Sequence, residues 1–163
     1  MSVVESKLES LGLILPPPLK IPAGVTLPFP WVNVRGSRAF VSGHGPQNAD
    51  GSLAEPFGKV GRDVTLEQAY ELARKTGLSI LASLKRELGD LDRIQGWGRV
   101  FGMVNSAPGF TQQPAVINGF TDLIIEVFGA EKGRHARSAV GMAELPLGKG
   151  IAVEIEGEVL ITL

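Results

Sequence analysis

The chain has 163 residues, 44% of them hydrophobic and 20% charged, with a formal net charge of −1 and a pI near 6.1. Those values describe one globular domain with room for a core, and they offer no basic footprint for nucleic acid. With no cysteine there are no disulfides, thiol nucleophiles or thiolate metal sites, which fits a reducing compartment.

The N-terminus, Met1 to Leu15, interleaves acids and a lysine with its aliphatics and lacks the basic start and unbroken apolar core of a signal peptide. No run approaches the ~20 apolar residues that span a bilayer, so a cytoplasmic protein without a membrane partner is expected. Val4, Leu8, Leu11 and Leu15 recur at helical spacing, and Gly12 weakens the end of that segment. Pro16-Pro17-Pro18 then forces extended backbone. Residues 1–27 read as an arm laid on a single domain, 28–163. Val32 and Val34 begin a strand, Arg35-Gly36-Ser37 turns, and Ala39 to Gly43 is the hairpin partner. Gly45 to Gly51 is loop by composition.

Thr65 and Gln68 form a capping box at the start of the clearest helix. Ala69, Ala73, Gly77, Ile80, Leu81, Leu84 and Leu88 make its apolar stripe, and Gly89 ends it. Gly77 costs about 1 kcal/mol relative to alanine, which implies a close neighbour. Ile94 to Val104 alternates as a strand, with Trp97, Phe101 and Met103 on one face. The other face carries Gly96, Gly98 and Gly102 with Ile94, Val100 and Val104. Those glycines admit a helix, a second subunit or a ligand close to the backbone, tight packing under the protein's own helices being the plainer choice. Pro114 suits a first helical turn, Val116 to Phe128 carries a second stripe, and Gly129 stops it. Two strands follow, about Arg137 to Leu145 and Ile151 to Thr162. The order β-β-α-β-α-β-β implies an α+β domain, a mixed sheet with two helices on one face. The opposite face, apolar and expected to carry Trp97 and glycines, should be covered by other subunits.

Standard enzyme signatures are largely missing. Gly43-His44-Gly45 and Gly96-Trp97-Gly98 lack the rest of a dinucleotide fingerprint, and no phosphate loop is present. His44 and His135 are the only histidines, too few for a His-rich metal site, so neither cofactor nor metal is expected. Ser42 and His44 lack the turn that activates a serine. What stands out is Arg137-Ser138-Ala139-Val140, the Leu145-Pro146 stop and Val153-Glu154-Ile155-Glu156. A guanidinium and a carboxylate on neighbouring strands can grip a small substrate with a carboxylate and a reactive C=N bond. The plain alternative is a structural Arg137 ion pair and a solvated acidic edge at Glu156 and Glu158.

Together with Val41-Ser42-Gly43, Pro46, Asp50-Gly51 and both helices, that C-terminal block resembles the Rid (YjgF-like) family, also called the L-PSP endoribonuclease family. The resemblance runs from about Pro28 to Thr162. It implies a chorismate-mutase-like fold, usually a homotrimer with ligand clefts between subunits. It also implies that Arg137 binds a substrate carboxylate, that Ser42 and Gly43 face the ligand, and that Glu154 orients or activates water. The associated chemistry is hydrolysis of enamines and imines of 2-amino acids to 2-keto acids and ammonia, so a small 2-keto or 2-imino acid is the implied ligand. Phe29 stands where a tyrosine is usual among the substrate-binding residues, and Ala139 where cysteine is common. The arm and the long link from Gly129 to Ala136, which carries His135, mark a divergent branch. A non-catalytic carboxylate-binding or sensing trimer is the alternative, favoured by Phe29. An endoribonuclease has least support, since charge and composition argue against a nucleic-acid partner.

Overall fold

Thr65 opens the longest helix as expected: its hydroxyl accepts from the Gln68 N–H at 3.1 Å, and the Gln68 side chain accepts from the Thr65 N–H at 3.0 Å. The computed structural model describes residues 2–163. In chain order the elements are α1 (Val3–Ser10), β1 (Val32–Arg35), β2 (Arg38–His44), α2 (Leu66–Leu88), β3 (Ile94–Asn105), α3 (Gln113–Gly133), β4 (Ala136–Met142) and β5 (Val153–Ile161). A short 3-10 turn, Leu91–Arg93, links α2 to β3. The helix α1 falls where the helical spacing of Val4 and Leu8 suggests one, and the order of the other elements is the one the sequence predicts.

The strands form one mixed sheet in the order β1-β2-β5-β3-β4, antiparallel except for β3 with β4. The helices α2 and α3 cover one face, and the core lies between them and the sheet, centred on Ile80, Leu84, Phe120, Leu123 and Ile155. Gly77 has the close neighbours its cost implied, because a Cβ there would lie 2.7 Å from Leu123. Gly119 is tighter still: a Cβ would stand 2.0 Å from the Tyr70 carbonyl, so α2 and α3 touch backbone to backbone. The regular helix stops at Gly129, as expected, where φ 78° and ψ 167° are non-helical, and a short helical segment follows to Gly133.

One predicted face is corrected. Pairing of β3 with β5 slips between Ile94 and Gly96 and again between Trp97 and Arg99. Each slip shifts the alternation by one residue, and Trp97 therefore turns under the helices, 5.6 Å from Phe120 and 5.9 Å from Phe128. Gly102 also faces the helices, where a Cβ would fall 2.6 Å from Ile117. The plain reading of that glycine holds. The open face instead presents Phe40, Phe101, Met103, Val140 and Leu160 among Arg38, Arg99, Glu156 and Glu158.

The N-terminal segment is docked. Val4 and Leu8 enter the core, Asp92 accepts from the Val3 and Val4 N–H groups at 2.7 and 2.9 Å, and Glu5 pairs with Lys85. Among the described residues no helix is long and apolar enough to cross a membrane.

Candidate functional site

The pairing of β2 with β5 stays in step from Arg38 to Val41 and slips before His44. The slip is a bulge over Ser42 and Gly43, and bulges re-aim side chains at strand ends. His44 consequently turns inward to α2. Its Nε2 lies 2.8 Å from Ser83 Oγ and its Nδ1 2.6 Å from the Ser42 carbonyl. A carbonyl only accepts, so Nδ1 carries the proton and Nε2 accepts from the Ser83 hydroxyl. Burial holds this imidazole neutral, with its pKa lowered to about 4. The Ser42 hydroxyl points elsewhere, donating to the Pro30 carbonyl at 2.8 Å, so serine and histidine do not form a nucleophile–base contact.

Gly43 gives the site its shape. A Cβ there would fall 2.5 Å from Glu154 Oε1, so only glycine lets that carboxylate lie against β2. Glu154 is half-buried and has no ion-pair partner among the described residues. Burial first, and the neighbouring Glu156 charge second, push its carboxyl above the usual range. Gly43, His44 and Glu154 border a narrow cleft of about 30 Å³, open at its mouth and walled by Trp31, Leu19, Leu147 and Ile151, with Ser83 and Arg86 on its α2 side. Trp31 packs 5.0 Å from the His44 ring, and Phe29 stands edge-on to Trp31 at 5.7 Å. Phe29 thus backs the aromatic wall and is itself largely exposed.

Arg137 lies apart from this cluster. It pairs with Val100 on β3 and faces α3, donating to Thr121 Oγ1 at 2.9 Å and to the Pro114 carbonyl at 3.1 Å. Thr121 in turn meets His135 Nε2 at 3.0 Å, and His135 Nδ1 meets the Gly133 carbonyl at 2.7 Å. Burial lowers the arginine's pKa, opposed by the charge of Asp122. The expectation of neighbouring strands is therefore corrected. β3 runs between β4 and β5, and Glu154, opposite Met103, sits on the other face of the sheet. Two strand spacings alone separate Arg137 from Glu154 by roughly 10 Å. Within one chain they cannot grip one small molecule.

Leu19, Trp31, Ser83 and Arg86 are among the cleft residues that escaped the sequence reading. A signal existed for Ser83 and Arg86: Ser79 and Ser83 interrupt the buried face of α2, and Arg86 lies one turn beyond Ser83. Among the described residues no group of three or more His, Asp or Glu side chains is placed to hold a metal ion.

This sheet, its two covering helices and the cleft at the β2 bulge define the chorismate-mutase-like class of α+β proteins. The chain belongs to the YjgF family: the family model described as "YjgF/chorismate_mutase-like, putative endoribonuclease" matches residues 5–158. It is 38% identical over 161 residues to Protein TCP17 of Trypanosoma cruzi, covering 94% of this chain and 96% of that one. The crystal structure of Atu1372, a protein of unknown function from Agrobacterium tumefaciens, is 38% identical with a TM-score of 0.86, covering 99% of this chain and 94% of that one. The YjgF gene product of E. coli shares the fold at 18% identity and a TM-score of 0.59, covering 90% of this chain and 97% of that one.

Proposed function

We propose that the protein is a cytosolic Rid-type hydrolase that converts 2-imino or 2-enamino acids to 2-keto acids and ammonia. The observation that carries this reading is Glu154, a half-buried carboxyl without an ion-pair partner, seated against Gly43 at the wall of a cleft. A carboxylate so placed takes a proton from water as the water oxygen bonds to the imine carbon. That proton goes to nitrogen to give the carbinolamine; the carboxylate then takes the hydroxyl proton and passes it to the amino nitrogen as the C–N bond breaks, so that the C=O of the 2-keto acid forms and ammonia leaves. The imine is already electrophilic, so the chemistry asks mainly for positioning.

The carboxylate of the substrate falls to Arg137, whose planar fork suits two-point binding. Since Arg137 and Glu154 stand too far apart within a chain, the reading requires a second copy, and a homotrimer with clefts between subunits meets that need. The apolar open face of the sheet supports it. Phe29 favours a second reading, a trimer that binds small carboxylates without turning them over, because a phenyl ring beside Trp31 has no hydroxyl to donate.

The two readings separate when 2-aminoacrylate is generated in situ by a dehydratase and pyruvate release is followed. A hydrolase accelerates release above buffer, and Glu154→Gln lowers the rate by ~100-fold or more while 2-ketobutyrate still binds in a calorimetric titration. Arg137→Lys weakens that binding by about 1.5–3 kcal/mol. Binding without acceleration leaves the non-catalytic reading. If neither variant differs from the parent in binding or rate, both assignments fall.

A further inference from the structure

The arrangement that holds Arg137 occurs a second time in the chain. Arg86 Nη2 donates to Ser83 Oγ at 2.9 Å and Nη1 to the Pro16 carbonyl at 3.2 Å. Ser83 leads to His44 Nε2, and His44 Nδ1 to the Ser42 carbonyl. Both chains run from arginine through a hydroxyl and a neutral histidine to a backbone carbonyl, with a proline carbonyl on the other guanidinium nitrogen. Their polarity is fixed, because a guanidinium only donates and a carbonyl only accepts.

Both arginines are thus held in one orientation by neutral groups, and neither has a carboxylate partner among the described residues. A solvated surface arginine needs no such holding and keeps its rotamer freedom. Arg86 borders the Glu154 cleft beside the apolar Leu19, Leu147 and Ile151. It and Glu154 line that same cleft without pairing.

We propose that Arg86 is a second anion-binding residue of the cleft and that the substrate is a 2-imino dicarboxylate. Its 1-carboxylate goes to Arg137, its C=N carbon faces Glu154, and its distal carboxylate meets Arg86. The inference rests on the hydrolase reading for the first two of those contacts. A monocarboxylate would leave Arg86 oriented toward the cleft with its charge unmatched.

Calorimetric titration of the full chain with three probes tests it: 2-ketoglutarate, 2-ketoglutaramate (the same skeleton with a neutral amide end) and 2-ketobutyrate. The parent protein should bind 2-ketoglutarate at least ten-fold more tightly than 2-ketoglutaramate. Arg86→Gln should remove roughly ten- to hundred-fold of the 2-ketoglutarate affinity and weaken 2-ketobutyrate binding by a clearly smaller factor. Equal affinity of the parent for the acid and its amide overturns the inference and spares the hydrolase reading, provided 2-ketobutyrate binds. An equal loss of all three probes in Arg86→Gln makes Arg86 a strut for the N-terminal arm and overturns it as well. Failure of all three to bind the parent removes both. The parent's preference is read without any variant, so a folding defect in Arg86→Gln cannot hide the answer.

Discussion

Glu154 and His44 illustrate opposite uses of burial. Glu154 has a folded pKa raised above its unfolded value, so its charge opposes folding. Its contribution is favourable below the usual carboxylate pKa and is lost as pH rises through the raised value. Glu154→Gln should accordingly raise the melting midpoint at pH 7 while abolishing turnover, and turnover in the parent should fall as the carboxyl protonates on the acid side. A lower midpoint in the glutamine variant would mean that the carboxylate is held by a structural partner. His44 behaves differently. Its folded pKa is about 4 against 6.5 for the free side chain, so between those values the unfolded chain binds the extra proton. Stability should fall as pH drops from about 6.5 toward 4, by up to about 3 kcal/mol. Denaturant midpoints measured from pH 7.5 to 4.5 should show that slope, and His44→Gln should flatten it. An unchanged slope would assign the acid sensitivity to other groups.

At the scale of elements, α2 and α3 cross with almost nothing between them. The Tyr70 carbonyl occupies the space a Cβ on Gly119 would need, and backbone cannot yield as a side chain can. Gly119→Ala gains about 1 kcal/mol of helix propensity yet should lose about 3 kcal/mol to overpacking. Gly77→Ala meets the Leu123 and Phe120 side chains instead, which can shift, and should cost less. Urea unfolding of the two variants measures both, and a Gly119→Ala protein as stable as the parent would mean the helices can move apart freely. This crossing matters to the site, since α2 supplies Ser83 and Arg86 while α3 supplies Thr121, against which Arg137 is oriented.

For the whole molecule the decisive feature is the uncovered sheet face. Phe40, Val140 and Leu160 are each more than a third exposed there, beside the half-buried Phe101 and Met103. A trimer at micromolar concentration is the outcome anticipated in analytical ultracentrifugation. Phe101→Glu adds a fourth carboxylate to a face that already holds Glu154, Glu156 and Glu158, and it should yield a monomer with an unaltered far-UV spectrum. That monomer should also lose substrate binding if Arg137 and Glu154 meet across subunits. A parent chain that sediments as a monomer would deny the cleft its second half.

Local pattern determined a good deal by itself. Helical spacing, the Thr65–Gln68 box and the terminating Gly89 marked α2, because helix periodicity and caps are written in neighbouring residues. Element order followed for the same reason. The C-terminal block and the Ser42-Gly43 strand end also marked the family, since they lie in continuous stretches of chain. What local pattern could not determine was anything dependent on register between distant strands. The bulge at Trp97–Arg99 reversed the expected face of Trp97 and the one at Ser42–Gly43 turned His44 inward, and a bulge is decided by the partner strand and the packing above it. Placement of β3 between β4 and β5, which parts Arg137 from Glu154, was likewise a property of the assembled sheet. The second held guanidinium, Arg86, emerged only when the N-terminal arm brought the Pro16 carbonyl onto α2. Residues 70 positions apart in sequence share no local signal; only folding the whole chain brings them within a hydrogen bond.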